Sequence, residues 1–340
     1  MASNITDKLE SVAHGTSLLQ TIQTDVKGSL DSFMKEKESI DPDSFQLSAC
    51  FEPVATQENL IGTVSVCAVS LTANSKFIPR PLSELAQLSP KLVKKIGLGY
   101  RCYRFSIIDE TLWFIQHGTS NINILDLEGN KMRTVTFNEI GALRAVAKIT
   151  SDLITVATAK GLYQTKMDGQ QPNCIVHGDM ADVTTLGDKV YALERNQKIV
   201  HVLQLKRQDN SLVVVKQVNL ENMHANWLNA IVATSDSLYL SEYCGHAITH
   251  FSTDSTAIEK FGIQGSGIGE LNYPVICGID ENGCLLITDQ FNNRLQILNN
   301  GTWTAMTVDG LTNPVWAGFI KNTLYVSEGS SGKLKIYTYA

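Results

Sequence analysis

The sequence is short of charge, of paired cysteines and of long apolar runs. Only 18% of its 340 residues are Asp, Glu, Lys or Arg, against 43% apolar. That balance excludes a solvated, disordered chain and fits one that buries a large core. Basic residues are the scarcer charges, 28 against 34 acidic, for a formal net charge of -6. The chain as a whole is therefore not built to neutralise phosphates. Cysteines stand at 50, 67, 102, 174, 244, 277 and 284, with no Cys-x-x-Cys pair. This spacing argues against a zinc module and against a secreted disulfide framework, so free thiols in a reducing cytoplasm are expected. No apolar stretch reaches the roughly 18 residues of a membrane span, so no membrane association is expected. The first ten residues, Met1 to Glu10, hold no basic or apolar run of the kind a secretory leader needs.

What is present begins with a seam. Ile5, Leu9, Val12, Thr16, Leu19, Val26, Leu30 and Phe33 recur at alternating steps of three and four, with Gln23 in the remaining position. The spacing predicts a helix over residues 1–40 that pairs as a coiled coil, and hence a homodimer. Gly15 and Gly28 weaken that helix, and a helix folded back on its own domain is the other reading. Asp41-Pro42-Asp43 ends it. Residues 41–90 are expected to be an extended linker region. It holds two short extended runs, Phe45 to Phe51 and Ile61 to Val66, and then a proline-bearing stretch from Phe77 to Pro90.

From about residue 91 the chain repeats. Turn signals at Asp109-Glu110, Ser151-Asp152, Gly187-Asp188, Ser235-Asp236, Glu281-Asn282-Gly283 and Lys321-Asn322 each precede an apolar run such as Leu238-Tyr-Leu-Ser-Glu242 or Leu324-Tyr-Val-Ser-Glu328. Their spacing, about 36 to 48 residues, is the period of a four-stranded propeller blade. Six signals predict an all-β, six-bladed β-propeller over 91–340. The sixth unit runs out of chain after three strands, so residues 91–97 are expected to supply its outer strand and close the ring.

The stretch from Phe261 to Ile297 is the clearest unit. Phe261-Gly262, the glycines at 265, 267 and 269, Leu271, Pro274, Gly278-Ile279-Asp280, Gly283, Asp289 and Asn293-Arg294-Leu295-Gln296-Ile297 resemble an NHL repeat. The order of seam, extended piece with Phe51-x-Pro53 and Ile61-Gly62-x-Val64, and propeller is similar to the C-terminal part of tripartite-motif (TRIM) proteins of the NHL class. The resemblance implies the substrate-recognition half of such a ubiquitin ligase, a dimerising helix with a target-binding propeller. The RING and B-boxes that would carry ligase activity have no counterpart, because no Cys/His array of the needed spacing occurs.

Candidate partner-binding residues lie in the loops that enter each blade and join its second and third strands. They are His117, Arg195, Asn196, His224, Glu242, Tyr243, Tyr273, Gln290, Phe291, Asn292 and Glu328. Trp227 and Trp316 lie beside strand entries and are expected to pack between blades. Asp289 and Arg294 are expected to clamp a corner. The inner strands are mostly apolar, with Arg104, Arg144, Asp182 and Asn229 as exceptions. No convergent carboxylate set, nucleophile elbow or phosphate loop stands out, so no catalytic residue, cofactor or metal is expected. Cys244, His246 and His250 are wrongly spaced for a closed zinc site.

The expected function is recognition of a protein partner. Single-stranded RNA binding is the first alternative, allowed by the NHL resemblance. It is weakened by a propeller with about 19 basic and 23 acidic residues over 101–340. A propeller hydrolase or lyase is the second.

Overall fold

The computed structural model describes residues 50–55, 60–65, 77–78, 81–220, 227–253, 256–329 and 331–339. The coiled-coil segment 1–40, with the homodimer it implies, lies outside the described residues. The chain divides into two units, Met1–Leu71 and Thr72–Ala340. In the first, Cys50–Ala55 pairs antiparallel with Leu60–Ser65. Phe51 stands opposite Val64, and Pro53 opposite Gly62.

The second unit is an all-β, six-bladed propeller. Its blades open on the strands Phe105–Ile108, Leu143–Lys148, Met180–Leu186, Leu228–Ala233, Pro274–Asp280 and Pro314–Ile320. These six inner strands neighbour one another in cyclic order, the last meeting the first. They are buried nearly throughout, which is why they read as continuous apolar runs without alternation. In the first, third and sixth blades two-residue turns join the inner to the second strand. Asp109 and Glu110 both take positive φ between the paired Ile108 and Thr111, the type I′ geometry that matches strand twist. In the sixth blade Pro314–Ile320, Thr323–Glu328 and Lys333–Thr338 are followed by Lys91–Gly97 as the outer strand, with Leu334 opposite Ile96. The first and last parts of the propeller are thus hydrogen-bonded in one sheet, leaving no open seam.

Phe77–Ile78 and Leu82–Leu85 depart from the linker reading. Phe77–Ile78 adds in parallel to the free side of the inner strand Pro274–Asp280, with Ile78 opposite Asp280. The short helix Leu82–Leu85 follows. Leu82 and Leu85 are buried in the same apolar cluster as Phe105, Ile107, Ala317 and Phe319. Asp280 fixes the helix. One carboxylate oxygen accepts from the Leu82 amide at 2.7 Å, and the other from the amides of Asn282 and Cys284. The prolines here exclude regular structure of their own, but burial of two leucines on the inner strands offsets that loss. Phe77–Ile78 and the helix Leu82–Leu85 therefore plug the end of the ring at which Asp280 lies.

One corner device recurs. The acid that ends the second strand reaches the side chain seven residues later, on the third strand, in four blades. Glu194 meets His201 at 2.8 Å, Glu242 meets Thr249, Asp289 meets Gln296 at 3.0 Å, and Glu328 meets Lys335. The register explains it. In each case the third-strand residue pairs with the residue two before the acid, placing both on one face.

In the fifth blade Asp289 also takes Arg294 Nε at 2.8 Å. The remaining Arg294 nitrogens donate to the carbonyls of Ser266, Gly267 and Glu270. Glu270 in turn accepts from the amides of Ser266 and Gly267. A Cβ at position 265 would sit 2.2 Å from the Glu270 carboxylate, so the glycine there is a packing requirement. The glycine-rich loop is held by this clamp.

Candidate functional site

The end of the channel opposite the plug opens as a cavity of about 470 Å³. Val275, near the start of its strand, lines it, while Asp280, at the far end of the same strand, holds the plug. The polar exceptions on the inner strands converge here. Arg104, Arg144, Arg195 and Asn229 line the cavity together with Trp227 and Trp316.

Arg104 forms the floor. It reaches from the first blade across the channel to pair with Asp182 of the third, and its Nη2 donates to the Asn229 carbonyl of the fourth at 2.7 Å. The second Asp182 oxygen accepts from the Ile231 amide at 2.8 Å. Trp316 packs on the Arg104 guanidinium, 4.4 Å from ring centroid to Cζ. Both members of the ion pair are buried. The pair is tolerable because the surrounding hydrogen bonds replace lost hydration.

Above the floor, Arg144 pairs with Asp179 and donates to the Met180 carbonyl at 3.2 Å. Arg195 donates through Nε to the Leu228 carbonyl at 3.1 Å and stacks on Trp227 at 4.5 Å. Burial first, and the nearby Arg144 next, hold the Arg195 pKa below the usual guanidinium range. Asn229 Oδ1 is buried and has no hydrogen-bond partner among the described residues. Three guanidinium groups thus face two carboxylates, leaving one positive charge in excess.

The predicted binding residues separate into three groups. His117, Arg195, Tyr243 and Gln290 line the cavity. Tyr273 and Phe291 extend it outward. The rings of Tyr243 and Tyr273 lie 4.8 Å apart, and those of Tyr273 and Phe291 5.0 Å apart. Tyr243 donates its hydroxyl to Gln290 at 2.6 Å, and burial pushes its pKa up to about 12. Asn196 is exposed at the rim of its corner.

Expectations at four residues, Glu242, Glu328, Asn292 and Trp227, need correction. Glu242 and Glu328 are each only 3% exposed, because they are the corner acids of their blades; Lys260 and Lys335 pair with them. They are not free to meet a partner. Asn292 likewise donates to Asp289 and to the Gly265 carbonyl, a use internal to the fifth blade. His224 lies outside the described residues. Trp316 packs in the core at 2% exposure, as its place beside a strand entry suggested, but Trp227 is 45% exposed on the cavity rim.

Sequence reasoning passed over Arg104, Arg144 and Asn229 as scattered exceptions. The available signal was their common position. Arg104 immediately precedes its inner strand, and Arg144 and Asn229 are second in theirs, so all three reach the same end of the ring.

Among the described residues no group of three or more His, Cys, Asp or Glu could hold a metal ion. No helix among them is long and apolar enough to cross a membrane.

No protein-family model matches the chain, and no curated protein sequence does. Solved structures do match, as folds. A structural-genomics protein of unknown function from Bacteroides thetaiotaomicron aligns with TM-score 0.55 at 15% identity, over 79% of this chain and 75% of that one. Virginiamycin B lyase from Staphylococcus aureus aligns with TM-score 0.52 at 12% identity, over 72% and 98%. The WD40 β-propeller domain of Doa1 aligns with TM-score 0.50 at 10% identity, over 74% and 97%. At these identities the likeness defines the class, a β-propeller, and no activity.

Proposed function

We propose that this protein is a non-catalytic recognition module that binds a protein partner through the open mouth of its propeller. One observation carries the reading. The mouth is a concave cavity lined by the exposed Trp227 beside a stacked arginine, with the exposed Phe291 joined to it through the rings of Tyr243 and Tyr273. Aromatic and arginine side chains in a partly desolvated pocket are the usual anchors of protein interfaces. The charge at the mouth favours a protein over RNA. Two of its three arginines are paired with aspartates, and RNA binding needs a run of unpaired positive charge along the strand.

The finer reading is an NHL-type propeller resembling the target-binding half of a TRIM-type ligase, dimerised through residues 1–40. It is supported by the glycine-rich fifth unit and by the heptad spacing of Ile5, Leu9, Val12, Leu19, Val26, Leu30 and Phe33.

The test is affinity capture on the immobilised chain and on its Trp227→Ala/Phe291→Ala variant, with and without ribonuclease. Proteins retained by the wild type, lost on the variant and indifferent to ribonuclease support the proposal. Identical recovery on both chains, or capture abolished by ribonuclease, overturns it.

A further inference from the structure

Two polar groups at the mouth lack partners. Among the described residues the Arg195 Nη atoms have none, the only hydrogen bond of the guanidinium being the one from Nε. Asn229 Oδ1 is buried and unpartnered as well. Both residues line the same cavity. A buried polar group left unpaired costs stability, so a cavity that keeps the Asn229 oxygen in that state beside the unpartnered Nη donors of a half-buried Arg195 is shaped for something that completes both.

The two groups ask for different chemistry. The guanidinium is a fork of donors suited to a carboxylate, and the Asn229 oxygen is an acceptor that needs an N–H or O–H. The net charge agrees. Asp182 and Asp179 answer Arg104 and Arg144, leaving Arg195 as the surplus cation, already stacked and oriented on Trp227. At the cavity rim Trp227, and beyond it Phe291, are exposed and offer apolar contact.

We propose that the mouth recognises an acidic side chain of a peptide segment, its carboxylate on the Arg195 guanidinium and a backbone N–H of the same segment on Asn229 Oδ1. This rests on the reading of the mouth as a protein-binding site and names what is read there. One surplus charge selects one carboxylate, not a polyanion. The flanking rings take up the neighbouring residues of the segment.

The experiment is selection of displayed random peptides on the full chain, followed by fluorescence anisotropy of a selected peptide. The expected outcome is Asp or Glu at one fixed position. Changing that residue to Asn or Gln weakens binding to the wild type by about tenfold or more. The same change costs nothing further on the Arg195→Gln variant, whose thermal unfolding should match the wild type. Arg195→Lys, which keeps the charge without the fork, falls between the two. Peptides selected with no acidic position, or an acid-to-amide change that costs the same on wild type and Arg195→Gln, overturn the inference and leave peptide recognition standing. Selection of no peptide at all overturns both, and binding of an oligouridylate in its place assigns the mouth to RNA.

Discussion

The Arg195 guanidinium lies 4.5 Å from the centroid of the Trp227 ring, joining a corner of the third blade to the entry of the fourth in a single plate at the cavity mouth. Stacking orients the guanidinium without using its Nη donors. Trp227 should therefore act on binding more than on stability. Trp227→Ala is expected to weaken partner binding by about 2 kcal/mol or more, as a rim anchor does. The same change should shift the melting temperature little, since 45% of the ring is already exposed. Titration calorimetry and thermal unfolding on the one variant check both halves.

Glu328 and Lys335 form a buried pair at 3% and 4% exposure. Glu328→Ala leaves the ammonium buried without its partner and is expected to cost about 3–5 kcal/mol. Glu328→Leu with Lys335→Met should recover much of that loss, because it removes both charges and keeps the volume. Urea unfolding of the single and double variants measures the difference. Equal loss in both would show that the corner needs the ion pair itself.

The plug makes a separate prediction. Leu82→Ala opens a void among Phe105, Phe319 and Ala317 and should cost about 2–5 kcal/mol. Asp280→Ala strands the amides of Leu82, Asn282 and Cys284 and should cost about 1–3 kcal/mol. Hydrogen exchange in Asp280→Ala should rise at residues 82–85 before it rises in the blades.

Cysteine chemistry follows from burial. Burial pushes the Cys102 thiol up to about 12 and those of Cys277 and Cys284 to about 11, so all three stay protonated and shielded near neutral pH. Cys244 is exposed. Iodoacetamide on the native protein should label Cys244 and spare those three, and denaturant should release them. Mass spectrometry of the labelled peptides reads the result.

The propeller was legible because its period is written twice, in apolar runs long enough to be buried strands and in turns that take positive φ, as at Asp109-Glu110 and Lys321-Asn322. The corner acids were visible as residues but not as a device. Pairing Glu328 with Lys335 requires the strand register, and seven residues along the chain signals nothing by itself. Phe77–Ile78 and Leu82–Leu85 were illegible for another reason. The buried positions of Leu82 and Leu85 come from the inner strands they pack on, and nothing in the local sequence sets them apart from the exposed Leu88. The mouth was half legible. Corner residues such as Arg195 and Phe291 could be named from the turns that hold them. Arg104, Arg144 and Asn229 lie tens of residues apart and meet only when the ring closes.

The central claim is that the open mouth, and no other face, meets a protein partner. Photo-crosslinking tests it most directly, with benzoylphenylalanine placed at Phe291 beside the cavity and, separately, at Val215 on an exposed outer strand. Cross-linked protein from position 291 and none from position 215 is the predicted result. Cross-links from position 215 alone, or to nucleic acid from position 291, would contradict it.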